Sequence, residues 1–141
     1  MSQAAPRPAG FSATTGNNPV ALRVLVVDDE LLIRWSLTET LTAAGHLVTE
    51  AGDAASTRRA IAAGHPDVVL LDFRLPDSDD LGLLASIRHD APEAQVILMT
   101  AFGSPEIAQG ALDLGAYRVI SKPFGMQDAA ALVSEAHAAT L

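Results

Sequence analysis

Short apolar runs alternate with longer segments of helical periodicity along this chain from Ala21 onward. Several runs are unbroken, such as Val68-Val69-Leu70-Leu71, which is typical of strands buried on both faces of a parallel sheet. The pattern predicts five strands, at about residues 22–27, 46–50, 67–71, 95–99 and 117–120. A helix is predicted after each strand, so the chain repeats one strand–helix unit.

The predicted helices have recognisable ends. They cover residues 31–44, the segment from Asp53 to Gly64, residues 81–89, the segment from Ser104 to about Leu114, and the chain from Met126 onward. Asp53 and Ser104 are N-cap residue types, and Gly45 is a C-cap candidate. Apolar residues of the first helix stand at helical spacing: Ile33, Leu37, Leu41 and Ala44. In the last helix one side is formed by Met126, Ala130, Val133 and Ala136 or His137.

This alternation predicts a doubly wound α/β domain, a flavodoxin-like (βα)5 fold with a five-stranded parallel sheet. Because crossover connections are right-handed, few strand orders are plausible, and we expect the order 2-1-3-4-5. Its switch point lies between the first and third strands. Ligands bind there, in the crevice beyond the carboxyl ends of the strands.

Length and composition narrow the class of protein. At 141 residues, with 49% hydrophobic residues, the chain allows one domain with a sizeable core. A net charge of −8 argues against direct binding of nucleic acid or of an anionic membrane. The absence of cysteine excludes disulfides and thiolate metal sites. With no apolar stretch near the ~20 residues of a membrane span and no secretory signal, we expect a cytoplasmic protein.

The first 20 residues differ in composition from the rest. They are rich in Ala, Pro, Ser, Thr, Gly and Asn and show no apolar period. We therefore expect residues 1–20 to be a disordered N-terminal extension and residues 21–141 to form the domain.

Polar side chains stand where four of the predicted strands end: Asp28-Asp29, Asp72, Thr100 and Lys122. Parallel strands end along one edge of a sheet, so we expect these side chains to share one crevice. Three carboxylates repel each other unless a cation joins them, and Mg²⁺ suits carboxylates and phosphate oxygens. A lysine ammonium and a threonine hydroxyl would then bind phosphoryl oxygens. The set predicts a site for a divalent cation and a phosphoryl group.

Each of these residues also has a simpler interpretation. Asp28, Asp29 and Glu30 could merely stabilise the N-terminus of the first helix, where negative charge is favoured. Asp72 could be a turn residue, Lys122 a solvated surface lysine, and Thr100 a hydroxyl bonded to backbone. Their shared location at matching strand ends favours a common site.

Four motifs occur in order along the chain: Val26-Val27-Asp28-Asp29-Glu30, Leu70-Leu71-Asp72-Phe73-Arg74-Leu75-Pro76, Met99-Thr100-Ala101, and Gly115-Ala116 followed by Lys122-Pro123-Phe124. Each is weak alone, but the ordered set resembles the receiver domain of bacterial two-component response regulators. The resemblance covers about residues 22–139.

The resemblance implies the following roles. Asp72 is the phosphoacceptor, which receives a phosphoryl group from a sensor histidine kinase. Asp29, Asp72 and the backbone carbonyl of Arg74 bind Mg²⁺ directly, and Asp28 acts mainly through water. Thr100 and Lys122 hold the phosphoryl group. Such a domain catalyses its own phosphorylation and dephosphorylation but is a switch rather than a metabolic enzyme.

Three features, at four positions, depart from the usual family pattern or bear on how the site would behave. Val119 stands where an aromatic switch residue is common, which puts the aromatic version of the switch in doubt, and Tyr117 lies two residues earlier. Asp80 stands where a loop glycine is common. Arg74 and Phe102 occupy positions that flank the acyl phosphate, and we expect Phe102 to slow its hydrolysis.

The loop at residues 75–81 and the segment at residues 33–37, which includes Trp35, resemble regulators of the nitrogen-regulation type, which activate transcription with an alternative sigma factor. In that group an ATPase domain and a DNA-binding domain normally follow the receiver. The chain is either the receiver of such a protein or a stand-alone receiver. The fourth helix, fifth strand and fifth helix form the usual output face, and we expect a homodimer through it.

Two other functions stay open at this point. A pseudo-receiver would be an interaction domain that is never phosphorylated, and Val119 and Asp80 leave room for it. A flavodoxin-like, metal-dependent enzyme is the second alternative. It is less favoured because no glycine-rich phosphate loop follows the first strand. The four histidines are scattered, and we expect them at helix ends or on the surface.

Overall fold

A computed structural model describes residues 20–101 and 104–140 of the chain. Strands and helices alternate through this region. The strands are β1 (Arg23–Val27), β2 (Leu47–Ala51), β3 (Val68–Asp72), β4 (Gln95–Thr100) and β5 (Arg118–Ser121). The helices are α1 (Leu31–Ala43), α2 (Ala54–Ala63), α3 (Gly82–Asp90), α4 (Pro105–Asp113) and α5 (Met126–Ala138).

All neighbouring strands are parallel, and their order is β2-β1-β3-β4-β5. The predicted doubly wound α/β fold and its strand order are confirmed. Strands β1, β2, β3 and β5 begin one residue later than predicted, and β2, β3, β4 and β5 end one residue later. The sequence pattern cannot specify these boundaries to a single residue.

The three central strands, β1, β3 and β4, are buried on both faces, as the unbroken apolar runs predict, whereas the edge strands β2 and β5 are largely exposed or half-buried. In β1, Val24 and Val26 face the side covered by α1 and α5, whereas Leu25 and Val27 face α2, α3 and α4. Leu37 and Leu41 are the fully buried residues of α1. The first helix ends one residue earlier than predicted, because α1 ends at Ala43 and Ala44, its exposed C-cap residue, lies outside the helix.

The inward face of α5 differs slightly from the prediction. Ala129, Val133 and Ala136 are fully buried against the sheet, while Met126 and Ala130 are half-buried at its margin. Small alanines let the helix approach the strands closely. The two predicted side-chain caps are confirmed: Asp53 accepts from Ser56 N at 2.7 Å and Ser104 accepts from Ile107 N at 3.1 Å.

Two side chains differ from simple expectations. His46, at the end of α1, is buried, and its Nδ1 accepts a hydrogen bond from Leu22 N at 3.1 Å. Burial lowers the pKa of His46. Trp35 is 55% exposed on α1, so it is not a core residue. Across residues 20–101 and 104–140, every helix is too short or too polar to span a bilayer.

Candidate functional site

The parallel register brings the predicted site residues to one edge of the sheet. Val27 pairs with Leu71, so the next residues, Asp28 and Asp72, emerge side by side. Asp72 in turn pairs with Met99, next to Thr100. Lys122 N donates to the Thr100 carbonyl at 2.8 Å, which places the lysine beside the end of β4.

Three carboxylates meet at this edge. Asp28, Asp29 and Asp72 each offer an oxygen, and these oxygens all lie within 4.8 Å of one another. Asp28 is completely buried and Asp72 is 6% exposed, whereas Asp29 is open to solvent. Burying two like charges together is costly unless a cation joins them. The donor set is all oxygen and partly open, so it fits Mg²⁺ with some of its water retained.

Lys122 lies among these acids. Its Nζ is 2.7 Å from Asp28 Oδ2, 3.3 Å from Glu30 Oε1 and 3.4 Å from Asp72 Oδ1. Only 11% of the Lys122 side chain is exposed, so the interpretation as a solvated surface lysine is wrong. Burial alone would lower the pKa of Lys122, but the hydrogen bond to Asp28 and the charges of Asp72 and Asp28 outweigh it and raise the pKa. The ammonium therefore stays charged at neutral pH. The Lys122-Pro123 peptide bond is cis.

Both carboxylate oxygens of Asp28 are already engaged. Oδ1 accepts from Glu30 N at 2.9 Å, and Oδ2 accepts from Lys122 Nζ at 2.7 Å. Glu30 occupies the N-cap of α1 without a side-chain capping bond and instead approaches Lys122. The simple helix-capping interpretation of Asp28, Asp29 and Glu30 therefore does not describe this turn. Asp29 and Asp72 have more carboxylate surface left for direct ligation of a cation.

Asp72 has a strongly perturbed carboxyl group. Burial first, and then the charge of Asp28, raise the pKa of Asp72 to about 7, against the opposing effect of Lys122. Its Oδ1 also lies 3.4 Å from Arg74 N. A negative charge on Asp72 is thus disfavoured in the protein alone. A bound cation would reverse this, since it stabilises the carboxylate form.

The acids open into a cleft of about 270 Å³ that is lined by Asp29, Glu30, Asp72, Phe73, Arg74, Ala101 and Lys122. Thr100 is 1% exposed at the end of β4, behind this cleft. Arg74 is exposed and is the second residue after β3. An adjoining apolar cavity of about 370 Å³, lined by Ile33, Phe124 and Met126 among others, shares Glu30, Ala101 and Lys122 with it.

The three departures from the family pattern have different outcomes. Val119 packs with the core that faces α2, α3 and α4, whereas Tyr117 packs on the opposite side. Tyr117 donates to Glu135 Oε2 at 2.7 Å, so its ring does not take the place of an aromatic at position 119. Asp80 Oδ1 accepts from Gly82 N at 2.8 Å, which ties the loop to the start of α3. Phe102 lies outside the described residues.

Sequence reasoning missed one residue that shapes this region. Asp77, in the loop after β3, accepts from Ala54 N at 2.7 Å and from Ala55 N at 3.1 Å. It therefore caps α2 across 23 positions of the chain. No local pattern marks such a contact, although an acidic residue after Pro76 is a weak signal for a structured turn.

Comparison with known proteins agrees with this fold. The family model described as the response regulator receiver domain matches residues 24–134. The DNA-binding transcriptional regulator NtrC of Escherichia coli strain K12 is 41% identical over 113 residues, which are 80% of this chain and 24% of that protein. The chain thus spans about a quarter of the length of this curated relative.

Two solved structures are also similar. The crystal structure of NtrX from Brucella abortus has a TM-score of 0.80 at 36% identity, and the match covers 86% of this chain and 28% of that one. The solution structure of the beryllofluoride-activated NtrC4 receiver domain dimer has a TM-score of 0.79 at 31% identity, with 84% and 98% covered. The chain belongs to the response regulator receiver domains of two-component systems, and it is similar to the receiver regions of NtrC-type regulators and NtrX.

Proposed function

We propose that this receiver domain is a phosphoacceptor switch in which Asp72 takes a phosphoryl group from a sensor histidine kinase. The observation that carries the proposal is the placement of Asp72 in a cleft with Asp29 and Lys122. Asp72 is almost fully buried yet lines the cleft, and the Lys122 ammonium lies 3.4 Å from its Oδ1. A nucleophile, a metal ligand and a fixed positive charge thus share one small space.

The transfer follows from these positions. A carboxylate oxygen of Asp72 attacks the phosphorus of a phosphohistidine, and a new P–O bond forms as the P–N bond breaks. The electron pair of the broken bond returns to the imidazole nitrogen, and the product on Asp72 is an acyl phosphate. Lys122 neutralises charge on the phosphoryl oxygens during the transfer, because positioning and electrostatics supply most of the catalysis. Water later attacks the phosphorus, the P–O bond to Asp72 breaks, and inorganic phosphate leaves as the carboxylate is restored.

Asp29, Asp72 and the Arg74 carbonyl would hold Mg²⁺ directly, with Asp28 acting through water. When bound, the cation supplies positive charge for the carboxylates and for the transferring phosphoryl oxygens. The two engaged oxygens of Asp28 support its indirect role. The exposure of Asp29 supports its direct one.

Phosphorylation would then change the output face. The acyl phosphate draws the Thr100 hydroxyl toward it, and α4 and β5 follow as a two-state element. Val119 implies that the change proceeds without an aromatic side chain at that position. Leu112 and Leu114 are 44% and 41% exposed in and just after α4, which supports a homodimer through α4, β5 and α5. Residues 21–141 would act on an output domain or partner, with residues 1–20 as an extension.

Incubation with Mg²⁺ and acetyl phosphate, followed by intact-mass measurement, tests the proposal. We expect the wild type to gain one phosphoryl group and Asp72→Asn to gain none. Asp90→Asn is a matched control, because Asp90 is an exposed aspartate at the end of α3. A wild type that stays unmodified, or an Asp72→Asn variant that is modified equally, would refute the proposal and favour a pseudo-receiver.

A further inference from the structure

Arg34 connects three elements beside the acidic cleft. From α1, its Nη1 donates to the backbone carbonyl of Asp28 at 2.8 Å. Its Nε donates to Glu50 Oε1 in β2 at 2.9 Å, and 21% of the Arg34 side chain is exposed. One planar guanidinium thus joins the turn after β1 to the edge strand β2. That turn carries Asp28 and Asp29.

The surroundings of Arg34 are shaped to admit it. Gly52 follows β2, and a Cβ atom added there would lie 2.9 Å from Arg34 Nη1. Such a contact is too short, so an alanine at position 52 would displace the guanidinium. The absence of a side chain at Gly52 and the carboxylate of Glu50 therefore form a socket for the arginine.

We infer that Arg34 is a positioning residue for the Mg²⁺ site. By holding the Asp28 carbonyl, it fixes the turn whose next residue, Asp29, ligates the cation in the proposed function, on which this inference rests. The role needs the fork of arginine, since a guanidinium donates in two fixed directions and an ammonium does not. Partners that orient metal ligands from outside the coordination shell commonly change metal affinity when they are removed.

Positioning and simple charge predict opposite results. If Arg34 acted only through its positive charge, its removal would tighten the binding of Mg²⁺, because a competing cation would be gone. If it positions the Asp28-Asp29 turn, its removal loosens the ligands and weakens binding. The sign of the change in Mg²⁺ affinity therefore separates the two roles.

The experiment is an amide NMR titration with Mg²⁺ of the wild type, Arg34→Gln, Arg34→Lys and Gly52→Ala. We expect all three variants to raise the Mg²⁺ dissociation constant, by about tenfold for Arg34→Gln. Gly52→Ala keeps both Arg34 and the net charge, and it answers the question even if Arg34→Gln folds poorly. Gly64→Ala is the matched control, because the nearest atom to its added Cβ would be at 3.8 Å.

A second readout separates positioning from a general loss of structure. At saturating Mg²⁺, the three variants should be phosphorylated by acetyl phosphate at rates within about twofold of the wild-type rate, because the metal site is then occupied in all of them. If the variants bind Mg²⁺ as tightly as the wild type, or more tightly, the positioning role of Arg34 is wrong, but the proposed function is unaffected. A wild type that neither binds Mg²⁺ nor gains a phosphoryl group would overturn the proposed function as well.

Discussion

Lys122 forms an ion pair of 2.7 Å with the fully buried Asp28, although 94 positions of sequence separate the two residues. The pair lies at the switch point of the sheet, and Lys122 Nζ is also 3.4 Å from Asp72 Oδ1. A buried charge without a partner is strongly unfavourable, so each of these groups depends on the others. The site is therefore one electrostatic unit, and a change in any member should affect the rest.

Replacement of Lys122 with glutamine should slow phosphorylation of Asp72. The amide is polar but shorter and supplies no positive charge to the phosphoryl oxygens, so we expect the rate with acetyl phosphate to fall by about 100-fold. Rates measured by intact mass at saturating Mg²⁺ would check this. Arg58→Gln removes one exposed positive charge on α2 and should change little. Equal rates for Lys122→Gln and the wild type would contradict the role of Lys122.

The stability of the metal-free protein should depend on the ionisation of Asp72. Its pKa is about 7 in the folded protein and 3.8 ordinarily, so the folded state holds a proton that the unfolded chain releases. The stabilisation of the folded state by this bound proton is present at low pH and is lost as the pH rises toward 7. In EDTA, we expect the Tm of the wild type to fall between about pH 5 and pH 8, relative to Asp72→Asn.

The effect of Mg²⁺ on the Tm gives a second test of the role of Asp72 in this dependence on pH. Because the cation stabilises the Asp72 carboxylate, it should raise the Tm of the wild type more at about pH 8 than at pH 5. The Asp72→Asn variant should show a smaller Mg²⁺ effect and a flatter dependence on pH. Identical pH profiles for the two proteins in EDTA would show that Asp72 titrates normally.

Loss of the Asp77 side chain should destabilise the domain at the start of α2. Asp77→Ala leaves the N–H groups of Ala54 and Ala55 without the carboxylate that now accepts from them. We expect the free energy of unfolding in urea to fall by about 1–2 kcal/mol. Asp79→Ala, at an exposed aspartate of the same loop, is the control. A loss of equal size in the control would assign the effect to loop charge rather than to the cap.

Two leucines of α1 give a direct test of the described core. Leu37 is fully buried and Leu32 is 73% exposed. Leu37→Ala should cost about 3 kcal/mol of unfolding free energy, through lost burial and a residual cavity. Leu32→Ala should stay within about 0.5 kcal/mol of the wild type. If urea unfolding shows that the two variants lose similar amounts of unfolding free energy, then α1 packs through a different face.

Strand ends were the most predictable part of this protein. An unbroken apolar run such as residues 68–71 indicates a strand buried on both faces, and parallel strands must end at one edge. The meeting of Asp28, Asp72 and Lys122 follows from that topology. The helix starts at Asp53 and Ser104 were equally predictable from the sequence, because each cap is a local hydrogen bond.

Contacts between distant segments were not predictable in the same way. The hydrogen bonds of Asp77 to α2 and of Arg34 to Asp28 and Glu50 depend on how loops and helices lie over the sheet. Arg34 looks like a solvent-facing residue in a helical pattern until β2 brings Glu50 beside it. His46 is buried for a similar reason, since its partner is the backbone of Leu22.

A structure of the protein with Mg²⁺ and beryllofluoride is the most direct test of the account. We predict fluoroberyllate on the carboxylate of Asp72, Mg²⁺ bound by Asp29 and Asp72, and Lys122 and Thr100 in contact with the fluorines. Folded protein at saturating concentrations of both reagents, with nothing bound beside Asp72 or with the ion held elsewhere, would contradict the central claim.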